Sequence, residues 1–213
     1  MGRVSQAQAE ENRKRVVDTA SRLFRERGTH VSVADLMKAA GLTHGAFYKQ
    51  FASKEALVDE ATAHAISELT RLHAAGLERY DGEREAARRS LIDGYLSVEH
   101  RDDPAEGCPV AALATDIARE PEGGEARRVY TEGVARFADF LAAEGAEATE
   151  ATEGTEAAEG AGAAEAGGQD GLVRLCTMFG ALVLARATKG SPLSEEILAA
   201  ARAALAEVDR SRD

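Results

Sequence analysis

The sequence predicts an all-α chain of about nine helices, a three-helix N-terminal head followed by a larger helical body. Apolar residues recur at 3.6-residue spacing along most of the 213 positions, while period-two alternation is almost absent. Cap residues, Gly and Pro also fall where each periodic stretch ends. The length allows one large or two small domains with a core that needs no disulfide staples.

Val16, Val17, Ala20, Leu23 and Phe24 line one face of a first helix that stops at Gly28, a residue suited to a left-handed C-cap. Ser32-Val33-Ala34-Asp35 resembles a capping box with Asp in place of Glu and opens a short second helix ending at Gly41. Thr43 is placed to cap a third helix running about to Gln50. Ser53 caps a long fourth through Leu57, Ala61, Ala65, Leu69 and Leu72. Beyond Asp81-Gly82 a fifth helix carries Leu91, Ile92, Tyr95 and Leu96, and Asp102-Asp103-Pro104 breaks the chain. A sixth begins at Cys108-Pro109, with Pro at N1 where its missing N–H costs nothing, and shows Val110, Leu113, Ala114 and Ile117. Pro121 to Gly124 separates it from a seventh carrying Val129, Tyr130, Val134, Phe137 and Leu141. Two helices close the chain, at about 171–189 and 194–209. Cys176 lies on the apolar stripe of the first and is expected in the core.

Residues 144–170 differ in kind. Glu recurs at every third position from 144 to 159, among Ala, Gly and Thr, with no apolar side chain larger than Ala. Such a segment buries too little to offset its ordering entropy, so a flexible acidic loop is expected. An Ala/Glu helix over part of it is the alternative, disfavoured by the glycines at 160–168.

The formal charge is −11, which on average speaks against a polyanionic partner. Its distribution reverses that reading. Residues 1–54 hold ten Lys/Arg against five acids, a net +5, leaving −16 for residues 55–213. A basic head on an acidic body points to polyanion binding at one end. No apolar run approaches the roughly 18–20 residues of a membrane span, and Met1 to Gln6 contains no apolar signal core. Two cysteines 68 positions apart form neither a disulfide framework nor a CxxC pair, so a reducing cytoplasm is expected.

Two short helices around a Gly-containing turn, after a longer supporting helix, make a helix-turn-helix. Val33, Leu36, Met37, Ala40, Leu42, Phe47 and Phe51 supply its mini-core with Leu23 and Phe24. Thr43, His44, Gly45, Ala46, Tyr48 and Lys49 are left facing outward, a small, polar and cationic surface suited to the major groove. Thr43 and His44 are the base-edge candidates, and Lys49 reaches a guanine or a phosphate. Ser32 and Lys54 sit at the starts of the second and fourth helices, where exposed N–H groups favour phosphate.

The run from Gly41 to Leu57, Gly-Leu-Thr-His-Gly-Ala-Phe-Tyr-Lys-Gln-Phe-Ala-Ser-Lys-Glu-Ala-Leu, resembles the TetR family of bacterial one-component regulators. The family pattern G-[LV]-x-x-[GA]-x-[FL]-Y-x-x-F-x-[SN]-K-x-x-L is met at every fixed position, with Phe47 where Leu is commoner, and the likeness covers about residues 9–69. The resemblance implies an all-helical homodimer. Residues 9–69 would be its DNA-binding domain and 70–213 its effector-binding and dimerisation domain, pairing through 171–189 and 194–209. It also implies phosphate contacts from Tyr48 and Lys54, a palindromic operator, and repression relieved by a small-molecule effector.

In the body, Tyr95, Phe137 and Met178, with Phe140 and Phe179, either line an apolar effector cavity or fill a core. Cys108, at a helix N-cap where dipoles stabilise a thiolate, is a further candidate as a redox or electrophile sensor. No cofactor is expected. The five histidines show no metal-ligand spacing, and Gly-x-Ser-x-Gly, HExxH and P-loop motifs are absent from the sequence. An all-α enzyme and a protein-interaction module therefore rank behind a DNA-binding regulator.

Overall fold

The computed structural model describes residues 6–142 and 157–210. Among them lie ten helices: α1 (Gln6–Arg27), α2 (Val33–Ala39), α3 (His44–Phe47), α4 (Lys54–Arg79), α5 (Arg84–Tyr95), α6 (Val98–Asp102), α7 (Pro109–Ile117), α8 (Glu125–Leu141), α9 (Ala157–Ala187) and α10 (Pro192–Arg210). The chain divides into two compact units. One is Met1–Leu69 with Asp103–Gly133, and the other is Thr70–Asp102 with Val134–Asp213.

The first unit is built around α1. Val16, Ala20 and Phe24 pack with Leu36 and Met37 of α2, Phe47 of α3, Leu57 of α4, and Leu113 and Ile117 of α7. Gly28 ends α1 at φ 82, and its amide donates to the Phe24 carbonyl at 2.9 Å. The second segment of the unit is fastened by side chains that serve as backbone partners. Asp59 accepts the Ala126 amide at 2.9 Å, satisfying an N–H at the start of α8. The Tyr130 hydroxyl donates to the Val110 carbonyl at 2.7 Å. Burial, with the Cys108 thiol nearby, raises the Tyr130 pKa above its ordinary value and keeps that proton in place.

In the second unit α9 packs against α10, and Leu175 and Leu182 of the first and Leu198 and Leu205 of the second are buried. The Ser194 hydroxyl donates to the Ala185 carbonyl at 2.6 Å and accepts from Arg101 at 2.9 Å, while Arg186 donates to the His100 carbonyl at 3.0 Å. These bonds seat α6 against both helices. At Gly171 the α9 backbone passes so close to α8 that a Cβ would lie 2.1 Å from the Ala138 carbonyl oxygen.

Four sequence expectations change. The short α6 was absent from the periodicity because five residues are too few to show it. α3 ends at Phe47 rather than Gln50, because Tyr48 to Gln50 tighten into a turn and Arg13 takes the Gln50 carbonyl. Over 157–170 the expected loop is helical, as the start of α9. The packed turns from Asp170 onward supply the costly nucleus, and Ala and Glu then propagate it. The remainder of the expected loop, 144–156, lies outside the described residues. Finally, Cys176 is exposed rather than in the core.

Candidate nucleic-acid interface

Local chemistry sets the helix-turn-helix. Ser32 caps α2: its hydroxyl accepts the Asp35 amide at 3.1 Å, as expected of the cap, and donates to the Asp35 carboxylate at 2.6 Å in place of the backbone bond that would complete a capping box. The cap occupies the hydroxyl proton, so a phosphate at Ser32 must compete with Asp35 for it. Gly41, at φ 70, makes the turn, and the Leu42 amide closes it on the Met37 carbonyl at 2.8 Å. Thr43 is the N-cap residue of α3 but makes no capping bond through its side chain, which leaves its hydroxyl available.

Phe47 is fully buried and stacks on Phe51 at 5.4 Å between ring centroids. That anchor fixes which way α3 faces. Thr43, His44, Gly45, Tyr48 and Lys49 are exposed, and Ala46 is half-buried. Tyr48 is 65% exposed, with its ring edge-on to His44 at 5.8 Å and to Phe47 at 5.1 Å. The phenol is thus held by ring contacts while its face remains open.

Lys54 begins α4 and is half-buried. The amides at this helix start are partly taken, since Ser53 accepts from Ala56 at 3.2 Å. The Glu55 carboxyl is held below its usual range by its own backbone N–H and by the Ser53 hydroxyl. An anion approaching this helix start would therefore meet the Lys54 ammonium more readily than free helix amides. It lines a cavity of about 400 Å3 together with Thr29, His30, Asp116 and Arg119.

Residues that aim this face were not singled out in the sequence. Arg13 of α1 donates to the Gln50 carbonyl and to Glu60, and its guanidinium lies 4.4 Å from the centre of the Phe51 ring. It joins α1, the end of the α3 turn and α4 through one side chain. On the α1–α4 seam, His64 lies 3.2 Å from Asp18 and 3.4 Å from Glu68, and Arg25 lies 3.8 Å from Glu68. Only His64–Glu68 is local, four positions apart; the other partners stand 37 or more positions along the chain and leave no local pattern.

The body candidates belong to the other unit, except Cys108. Tyr95, Phe137 and Met178 are buried core residues. Tyr95 and Phe137 join His73 and Phe140 in an aromatic cluster, with His73 4.5 Å from Phe137 and 4.7 Å from Phe140. His73 is only 8% exposed, and burial lowers its pKa from 6.5 to about 4, so the ring is neutral. Cys108 is the N-cap residue of α7 but is 5% exposed. Among the described residues no group of His, Cys, Asp or Glu is arranged to hold a metal, and no helix is long and apolar enough to cross a membrane.

Residues 16–61 match the family described as bacterial regulatory proteins, tetR family. The chain is 30% identical over 93 residues to the HTH-type transcriptional regulator AcrR of Shigella flexneri, covering 43% of each. It is 28% identical over 130 residues to an uncharacterized HTH-type transcriptional regulator of Mycobacterium tuberculosis, covering 59% of this chain and 63% of that one. The matches thus span less than two thirds of either relative. Among solved structures, a TetR transcriptional regulator from Chloroflexus aurantiacus superposes with a TM-score of 0.68 at 23% identity, over 95% of this chain and 96% of that one. Residues 16–61 thus match the tetR family of bacterial regulatory proteins, and the chain as a whole shares the fold of the solved TetR structure.

Proposed function

We propose that this protein is a ligand-responsive transcriptional repressor that binds a palindromic operator as a homodimer in the cytoplasm. The observation that carries the reading is the exposed face of α3, Thr43, His44, Gly45, Tyr48 and Lys49, held outward by buried Phe47. Residues 9–69 serve as the DNA-binding domain. Thr43 and His44 read base edges, Gly45 and Ala46 allow close approach, and Lys49 reaches a guanine or phosphate. Tyr48, Lys54 and Ser32 hold the phosphate backbone.

A head this small reads few base pairs, so specificity requires two heads spaced about 34–36 Å apart, or a multiple of that, on one duplex. Residues 70–213 supply the pairing through 171–189 and 194–209. Leu172, Val173, Val183 and Leu184 are exposed on α9, an apolar stripe that a second copy would cover. The effector is assigned to the aromatic cluster of Tyr95, Phe137 and His73, with Met178 in the surrounding core. It releases DNA only by preferring the conformation that does not bind. The sensing alternative at Cys108 gains no support, because reactive thiols are solvent-accessible and this one is buried.

The test is fluorescence anisotropy with duplexes tiled across the DNA upstream of the protein's own gene. A discrete complex that resists non-specific competitor is expected. Binding that competitor removes equally from every duplex would overturn the reading in favour of an interaction module.

A further inference from the structure

Helices α5 and α10 leave a cavity of about 320 Å3, lined by Arg89, Ile92 and Asp93 on one side and Arg202, Leu205, Ala206 and Arg210 on the other. Ile92 and Asp93 stand three and four positions after Arg89, and Leu205, Ala206 and Arg210 stand three, four and eight after Arg202, so each set shares one face of its helix. Ile92 and Leu205 form the floor and are buried. Ala206 leaves the room, since a larger side chain there would fill the space. The rim carries three guanidinium groups against one carboxylate. Arg89 is paired with Glu85 one turn back. Arg202, Arg210 and Asp93 make no hydrogen bond or ion pair among the described residues. In a chain of net charge −11, two uncommitted guanidinium groups beside an apolar floor are a local reversal of sign.

We propose that this cleft binds a small amphipathic anion, a carboxylate head on an apolar body. The planar guanidinium groups of Arg202 and Arg210 suit a carboxylate through paired N–H donors, and Ile92 and Leu205 lie beneath the apolar part. The volume is that of a small-molecule site, about 300 Å3 or more. Asp93 on the same rim opposes the anion and limits its charge. Arg202, Ala206 and Arg210 lie on the opposite side of α10 from Leu193, Ala200 and Ala204, so covering those small and apolar residues leaves the cleft open. The site shares no residue with the aromatic cluster and does not depend on the regulatory reading.

The test is calorimetric titration of the full chain with octanoate at low salt, alongside octanol and octylammonium as neutral and cationic heads on the same tail. One saturable octanoate site per chain is expected, about tenfold tighter than either control and weakened by added salt. Arg202→Glu and Arg210→Glu should each weaken it about tenfold, and Ala206→Phe should abolish it. Asp93→Asn should tighten it, a gain that no misfolded variant reproduces. Absence of saturable binding at millimolar octanoate, equal binding of octanol, or indifference to the paired Arg202→Glu and Arg210→Glu changes would overturn the proposal.

Discussion

The Asp116 carboxylate accepts the Thr29 amide at 3.0 Å, joining the C-terminal half of α7 to the turn that leads into the helix-turn-helix, 87 positions earlier. Gly28, beside it, has φ 82, and a Cβ there would stand 3.0 Å from the same carboxylate. Asp116→Ala should destabilise the protein by about 1–2 kcal/mol in chemical denaturation, because it strands a partly buried N–H. Asp116→Asn, which keeps an acceptor, should recover most of that. Equal losses in the two variants would show that the carboxylate acts otherwise than as this acceptor.

Contacts to DNA separate into two kinds by their response. Lys54→Ala should weaken binding to all duplexes alike and flatten the salt dependence by roughly one phosphate equivalent. His44→Ala should relax preference at one base pair, worth about 1–3 kcal/mol of discrimination. Identical shifts for both variants across a library of sites would refute the division of roles.

His73 ties stability to pH. Its pKa is about 4 in the folded chain against an ordinary 6.5. Between those values the unfolded chain binds a proton that the folded chain refuses, so stability falls as pH drops from neutrality through that window. The loss approaches about 1.4 kcal/mol per pH unit from this one group. His73→Phe should remove one proton's worth of slope from urea denaturation measured between pH 7 and pH 5. Parallel slopes for wild type and variant would locate the effect elsewhere.

Dimer formation is read by light scattering at micromolar concentration. Introducing charge at Val173 and Leu184, both exposed on α9, should convert the expected dimer to monomer and abolish tight operator binding. Wild-type protein that is itself monomeric, or variants that remain dimeric, would remove this face from the proposal.

Gly171 and Gly133 differ in what a methyl group would strike. At Gly171 the obstacle is the Ala138 backbone oxygen at 2.1 Å, whereas at Gly133 it is the Ile66 side chain at 2.7 Å. Gly171→Ala should cost about 3 kcal/mol or more, and Gly133→Ala less, because a side chain can shift and backbone cannot. Thermal denaturation of the pair tests the order.

Features encoded within a few adjacent residues are legible before the chain folds. The Ser32 cap, the Gly28 and Gly41 turns, Pro109 at the start of α7 and the helical period of each long stretch all depend on neighbours one turn away. The same locality made the run from Gly41 to Leu57 legible as a recognition motif. Which apolar face meets which partner depends on how the helices pack. Periodicity placed Cys176 on a core stripe with Leu175, yet packing buries Leu175 and leaves Cys176 exposed beside Val173. Packing also decided where Arg13, Asp59 and Asp116 would find their backbone partners, and that Ala- and Glu-rich residues 157–170 would extend α9. A hydrogen bond spanning 37, 67 or 87 positions leaves no periodic trace, because the chain geometry that closes it exists only after the helices have packed.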